Sequence, residues 1–225
     1  MSNPIKGLTK KEWVLWIVSL LIVTASNLMT EQVEPLTLAA ADIGITALIF
    51  AAKGNVWAQI LMIVFCLLYG LISFQVRYWG EMITYLGMSL PMAIWSMVTW
   101  LKNPSAGGKA VKIQKLTRKH IAGLSFFGAL ATGVFYLILR ALDTPNLVFS
   151  TISVATSFLA AALTMLRSSY YALGYAANDV VLIALWVLAS LKDPVYIPVT
   201  VNFSIFLVND LYGFISWRKR ELAAA

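Results

Sequence analysis

Residues 195–217 read VYIPVTVNFSIFLVNDLYGFISW, an apolar run of bilayer-spanning length with two asparagines and an aspartate set inside it. Such a run is a membrane helix: a span takes roughly 20 residues, and lipid offers no other partner to the backbone polar groups. Working outward, seven more runs of this kind occupy residues 12–29, 36–52, 56–77, 82–101, 120–141, 146–166 and 170–191. Numbered 1 to 8 in chain order, these spans take up most of the 225 residues. The composition agrees, with 60% hydrophobic residues, 12% charged and a mean hydropathy of +0.80, whereas soluble domains carry about 25% charged residues. The chain therefore reads as an all-α integral membrane protein with eight transmembrane helices. No stretch is left for a soluble domain, and no Gly-x-x-x-x-Gly-Lys-Ser/Thr phosphate loop occurs, so energy from ATP would have to come from a partner.

Connections are short except between spans 4 and 5, where residues 102–119 hold Gly107, Gly108 and six basic residues and read as a solvated linker. Fourteen Lys and Arg fall on the side that holds both termini and three (Arg77, Arg140, Lys192) on the other. By the positive-inside bias this places both termini in the cytoplasm, in the inner (cytoplasmic) membrane of the cell. The net charge of +7 is then a topology signal and not a nucleic-acid surface. Span 1 has the basic start of a signal peptide but no small-x-small cleavage site. An internal repeat is also visible. A shift of 117 residues lays Trp95–Trp100 over Tyr212–Trp217, and a shift of 114 lays Thr37 over Thr151 and Lys53 over Arg167. Spans 2–4 and 6–8 thus read as two parallel copies of a three-helix unit, with span 5 restoring the orientation of the second and span 1 added in front. The segments expected are residues 1–35 (tail and extra helix), 36–101 (first repeat), 102–144 (linker and linker helix), 145–217 (second repeat) and 218–225 (tail).

The lone Cys66 and lone His120 exclude a disulfide framework and a metal cluster within one chain. No nucleophile–base pair is visible, and neither a metal nor a cofactor is called for. Charge inside a span is costly, roughly 2.5 to 3.5 kcal/mol at its centre on insertion scales, so Asp42, Asp179 and Asp210 stand out. Helical spacing sorts the polar residues into stripes: Tyr175, Asn178, Leu182 and Trp186 on span 7, and Asn202, Ile205, Asn209 and Tyr212 on span 8. The span 4 stripe 117 residues before is Tyr85, Met88, Met92 and Trp95, and Gln59 and Tyr69 add polar groups to span 3. Each has a structural reading too, since intramembrane Asn and Gln often only join helices. Aromatic faces stack flat rings and attract cations, while amides pair with carboxamides and hydroxyls. Every Lys and Arg lies at or near a span end, so no cationic clamp for phosphate stands at mid-depth. The ligand expected is flat, neutral or cationic, and unphosphorylated.

These residues carry a resemblance. Asn178-Asp179 followed by Trp186, and Asn209-Asp210-Leu211-Tyr212-Gly213-Phe214 ending at Trp217, resemble the PnuC family of nicotinamide riboside transporters, as do Tyr69-Gly70 with Gln75 and the stretch from Trp95 to Trp100. The resemblance covers about residues 36–220. It implies a 3+1+3 core related to the SWEET sugar transporters, a homotrimer, no enzymatic activity, and facilitated diffusion of nicotinamide riboside trapped by a cytosolic riboside kinase. In that setting Asn178 and Asn209 would bond the carboxamide or ribose hydroxyls, Trp186 and Tyr212 would stack on the ring, and Asp179 would offset its charge. Tyr175, Asn202, Trp95, Gln59 and Tyr69 complete the expected site. Phe65 and Met92 replace polar residues that relatives can carry, which leans the site toward spans 7 and 8. Rival readings are a carrier of another vitamin such as thiamine, a proton-coupled symporter using Asp179 or Asp210, and an intramembrane lipid enzyme.

Overall fold

The computed structural model describes residues 3–29, 35–75 and 79–223. Arg77, at the expected end of span 3, lies outside the described residues. Eight helices among them are long and apolar enough to cross a membrane. They are α1 (Lys10–Leu28), α2 (Pro35–Ala52), α3 (Trp57–Gln75), α4 (Trp79–Lys102), α5 (Arg118–Ala141), α6 (Leu147–Met165), α7 (Tyr171–Ser190) and α8 (Pro194–Ala223). The only β contact among the described residues is an isolated bridge between Pro104 and Val111.

Local sequence sets several of the helix ends. Thr9 and Glu12 form a reciprocal cap at the start of α1, the Glu12 N–H donating to Thr9 Oγ1 and the Thr9 N–H to Glu12 Oε2. Thr117 and His120 do the same for α5, so the lone histidine is spent as a cap. α8 opens with a 3-10 turn, Pro194–Tyr196, whose first N–H groups include one bonded to the Asp193 side chain. It then runs six residues past Trp217, carrying its basic tail as helix. α4 is interrupted by a π turn at Thr84–Ser89, which rotates the face that follows it.

Six helices close into a ring. α2 packs on α3, α3 on α4, α4 on α6, α6 on α7, α7 on α8, and α8 back on α2. α1 lies outside the ring across α2 and α8, and α5 lies outside along α6. Small residues permit the closest of these approaches: a Cβ on Gly174 would stand 3.0 Å from the Ala160 Cα, so α6 and α7 meet nearly backbone to backbone.

Both termini lie at one end of the ring, where Glu12 of α1 pairs with Lys53 after α2 at 3.1 Å and Arg220 of α8 donates to the Lys53 carbonyl. This termini end is sealed by a cluster of buried residues that includes Ile49, Phe50, Trp100, Val111, Tyr171 and Trp217. Its hydrogen bonds come in matched pairs. Thr99 and Trp100 donate to the carbonyls of Met165 and Thr164 at the end of α6. Ser216 and Trp217, 117 residues later, donate to those of Ala52 and Ala51 at the end of α2. Likewise Asn55 N–H bonds the Phe50 carbonyl and Ser168 N–H that of Leu163, while Trp57 and Tyr170 N–H groups bond the side chains of Asn55 and Ser168. These matches run at 113 residues, one short of the spacing expected from Thr37 and Lys53. Gly54 and Arg167, again 113 apart, both take positive φ (67° and 55°) to end their helices.

Residues 103–117 are more ordered than a solvated linker. Ser105 and Lys112 N–H groups bond the carbonyls of Ala110 and Asn103, making a tight turn. Beyond it the Val111 N–H bonds the Gly54 carbonyl at 2.9 Å and the Gln114 N–H that of Arg167 at 3.0 Å. The linker thereby ties the two matched helix ends together, and Val111 is buried in the seal.

Candidate functional site

Inside the ring lies a cavity of about 520 Å³. It reaches the loops of the end opposite the termini, where Trp79, Leu142, Thr144, Asn146 and Lys192 line it. At mid-depth its walls come from α2, α3, α4, α6, α7 and α8, and it stops above the sealed termini end.

Five of the ten residues expected from sequence line this cavity: Gln59, Tyr175, Asn178, Asp179 and Trp186. The Asn178 carboxamide oxygen accepts from Thr156 Oγ1 at 2.8 Å and from Ser153 Oγ at 3.2 Å. With the oxygen committed to these two hydroxyls, the amide N–H groups are what the residue can offer a ligand. Trp186, one helical stripe away, packs against Tyr196 with ring centroids 5.6 Å apart. Asp179 is 4% exposed, and its Oδ2 is buried with no hydrogen-bond partner.

The other five stand elsewhere. Asn209 Nδ2 donates to Ser19 Oγ of α1 at 2.9 Å, and Tyr212 donates to Glu12 Oε1 at 2.8 Å. Asn202 is buried and accepts from Asn27 of α1 at 3.4 Å. Trp95 is 63% exposed on the outer surface of the ring. Tyr69 stands behind the wall, its ring 4.6 Å from that of Phe65 and 5.1 Å from that of Tyr85. The reason is rotation about the helix axis. On α8 the cavity face is Phe203, Phe206 and Asp210, one residue round from the Asn202, Asn209 and Tyr212 stripe that α1 covers. On α4 the π turn keeps Tyr85 in the wall but brings Ser89, Ala93 and Ser96 inward in place of Met92 and Trp95.

The cavity also has a polar wall that the sequence reading passed over. Ser150, Ser153 and Ser157 of α6 line it at i, i+3 and i+7, a helical stripe of hydroxyls. Serine is too common and too small to stand out in an apolar run; only the spacing could have marked it. Among the described residues the charged groups in the lining are Glu81, Asp179, Asp210 and Lys192, the lysine following the end of α7 at the far loops. Positions 113 residues before Asn178 and Asp179 are Phe65 and Cys66, and the position 117 before Asp210 is Ala93; all three line the opposite wall. The Asn178, Asp179 and Asp210 set is thus one-sided, on α7 and α8, while α3 and α4 contribute Gln59, Glu81, Thr84, Ser89 and Ser96.

A ring of membrane helices around a polar-walled cavity, sealed at one end, is the construction of a small-molecule membrane transporter. The chain belongs to the nicotinamide mononucleotide transporter family, whose model matches residues 34–219, a family of transporters and not of enzymes. It is 25% identical over 211 residues to the nicotinamide riboside transporter PnuC of Neisseria mucosa, covering 91% of this chain and 80% of that one. It is also 25% identical over 178 residues to the protein of the same name from Haemophilus influenzae, covering 78% and 76%. Its fold is similar to the crystal structure of the vitamin B3 transporter PnuC, with a TM-score of 0.80 and 23% identity over 95% of this chain and 92% of that one.

Proposed function

We propose that this chain carries nicotinamide riboside across the inner membrane by facilitated diffusion, with both termini in the cytoplasm. The observation that carries the reading is the cavity lining. Asn178 offers donors, the serines of α6 offer hydroxyls, Trp186 and Tyr175 offer ring faces, and Asp179 and Asp210 offer negative charge. A carboxamide, a ribose and a cationic aromatic ring need these groups. The family name mentions the mononucleotide, but among the described residues Lys192 is the one cation in the lining and stands at the far loops, while three carboxyl side chains share the space. A phosphate dianion finds no Arg or Lys clamp at mid-depth among the described residues.

In this reading the described state is open toward the outside and closed at the termini end. The matched bonds of Thr99, Trp100, Ser216 and Trp217 support two parallel SWEET-like three-helix repeats, α2–α4 and α6–α8, that rock about the cavity to alternate its access. Flux is drawn inward by a cytosolic kinase that phosphorylates the riboside, and the protomers assemble as a homotrimer. The test is uptake of labelled riboside into liposomes holding the purified chain. Uptake that equilibrates, ignores an imposed pH gradient and is blocked by excess riboside but not by thiamine is expected. Uptake driven above equilibrium by the pH gradient would replace diffusion with symport.

A further inference from the structure

The cavity floor holds two carboxyls, where the sequence reading enlisted only one. Asp179 projects from α7 and Asp210 from α8; both line the cavity, and they are 4% and 3% exposed. They stand on α7 and α8, which pack directly on each other, so the two carboxyls share one buried space. Two carboxylates confined together away from water repel, so one of them keeps its proton and the pair presents one negative charge. Asp179 Oδ2 is left buried and without a partner. Tyr85, Tyr175 and Cys66 are the other titratable groups lining this part of the cavity, and all are neutral when protonated. Glu81 and Lys192 are the remaining charged groups of the lining among the described residues.

A buried anion left so calls for a cation. A pyridinium whose nitrogen carries a sugar has no N–H to donate, so it is recognised by charge and ring face, not by a hydrogen bond to its nitrogen. Charge acts over several ångströms in such a site, whereas a hydrogen bond needs contact. Cys66 and Ala93 occupy the matching positions of the opposite wall, so at this depth the attraction draws the ring toward α7 and α8, while Glu81 stands near the start of α4. We propose that Asp179 and Asp210 act together as a single-charge counterion, by which the cavity selects a cationic ring over an uncharged ring of the same shape. This rests on the riboside reading and adds to it the property by which the ring is selected.

The test is calorimetric titration of the purified full chain in detergent with nicotinamide riboside and with benzamide riboside, its uncharged carbon-linked isostere. The unmutated chain is expected to favour the cation by about tenfold or more. Asp179→Asn and Asp210→Asn should each keep that preference within about threefold, since the amide takes the place of the protonated acid and one negative charge remains. The double variant should bind both ligands alike, its hold on benzamide riboside showing that the cavity is intact. If the double amide does not fold, Asp179→Ser with Asp210→Ser carries the same expectation. Equal binding of the two ligands by the unmutated chain would overturn the proposal and leave the riboside reading standing. So would a preference that survives the double variant, vanishes in a single variant, or vanishes in Glu81→Gln. Binding of neither ligand by the unmutated chain would overturn the riboside reading and the counterion with it.

Discussion

The indole rings of Trp100 and Trp217 stand 5.5 Å apart at the sealed end of the ring, and each donates its N–H to a carbonyl across a seam. Trp100 of α4 holds the end of α6, and Trp217 of α8 holds the end of α2. Both are fully buried, and Tyr171 packs edge-on against Trp217 at 4.7 Å. The two seams joining α2–α4 to α6–α8 are therefore locked by the same chemistry, and the locks touch.

Removing one lock should weaken both. Trp217→Phe keeps a single aromatic ring but removes the pyrrole part of the indole with its N–H, leaving the Ala51 carbonyl buried without its donor at about 1–3 kcal/mol, to which the small cavity adds. Melting of the detergent-purified variants is expected to show a fall for each of Trp100→Phe and Trp217→Phe. The double variant should differ from the sum of the two, as residues in contact do.

α1 is expected to act as a clasp and not as a wall of the site. Glu12 takes bonds from Lys53, Tyr212 and the Thr9 backbone. Glu12→Ala strands all three, and it should lower stability by about 1–3 kcal/mol, discounted for the partly exposed Lys53. Limited proteolysis should then cut between α1 and α2 sooner than in the unmutated chain, while riboside affinity changes less than threefold.

Asn178 and Asn209 look alike in the sequence and should behave differently. Asn178→Ala removes a cavity donor and is expected to weaken riboside binding by about tenfold, the worth of one hydrogen bond to a buried ligand. Asn209→Ala removes a bond to Ser19 and should lower the melting temperature with little change in affinity. Calorimetry and melting on the same two preparations separate them.

Face assignment on α4 can be checked by bulk. Ala93 and Ser96 line the cavity, 5% and 1% exposed, while Trp95 is on the outer surface. Ala93→Trp should fill the space a ligand needs and abolish binding, whereas Trp95→Ala should leave affinity within about twofold, as surface changes usually do.

The spans were legible because lipid leaves a chain no choice: eight apolar runs became eight helices, displaced by a few residues at most ends. The inward face of a span was legible only where one face is polar. Tyr175, Asn178 and Trp186 of α7 satisfy that, and they line the cavity. α8 does not, since Asn202 and Asn209 on one face compete with Asp210 on the next, and only α1 lying across the former decides between them. The π turn of α4 has no sequence signal of comparable strength, yet it moves Trp95 from the expected stripe to the outside. The linker looked solvated by its charge, but backbone groups of Val111 and Gln114 tie it to the seal. Lys109, Lys112 and Lys115, the charged residues of 103–117, are exposed, which is how a basic segment can be ordered without burying its charge.

The most direct measurement is calorimetric titration of the detergent-purified chain with nicotinamide riboside and then with nicotinamide mononucleotide. Saturable binding of the riboside, lost on adding the 5′-phosphate and weakened by Asn178→Ala, is the expected result. Binding of the mononucleotide as tight as that of the riboside would contradict the reading of a cavity whose only lining cation among the described residues lies at the far loops.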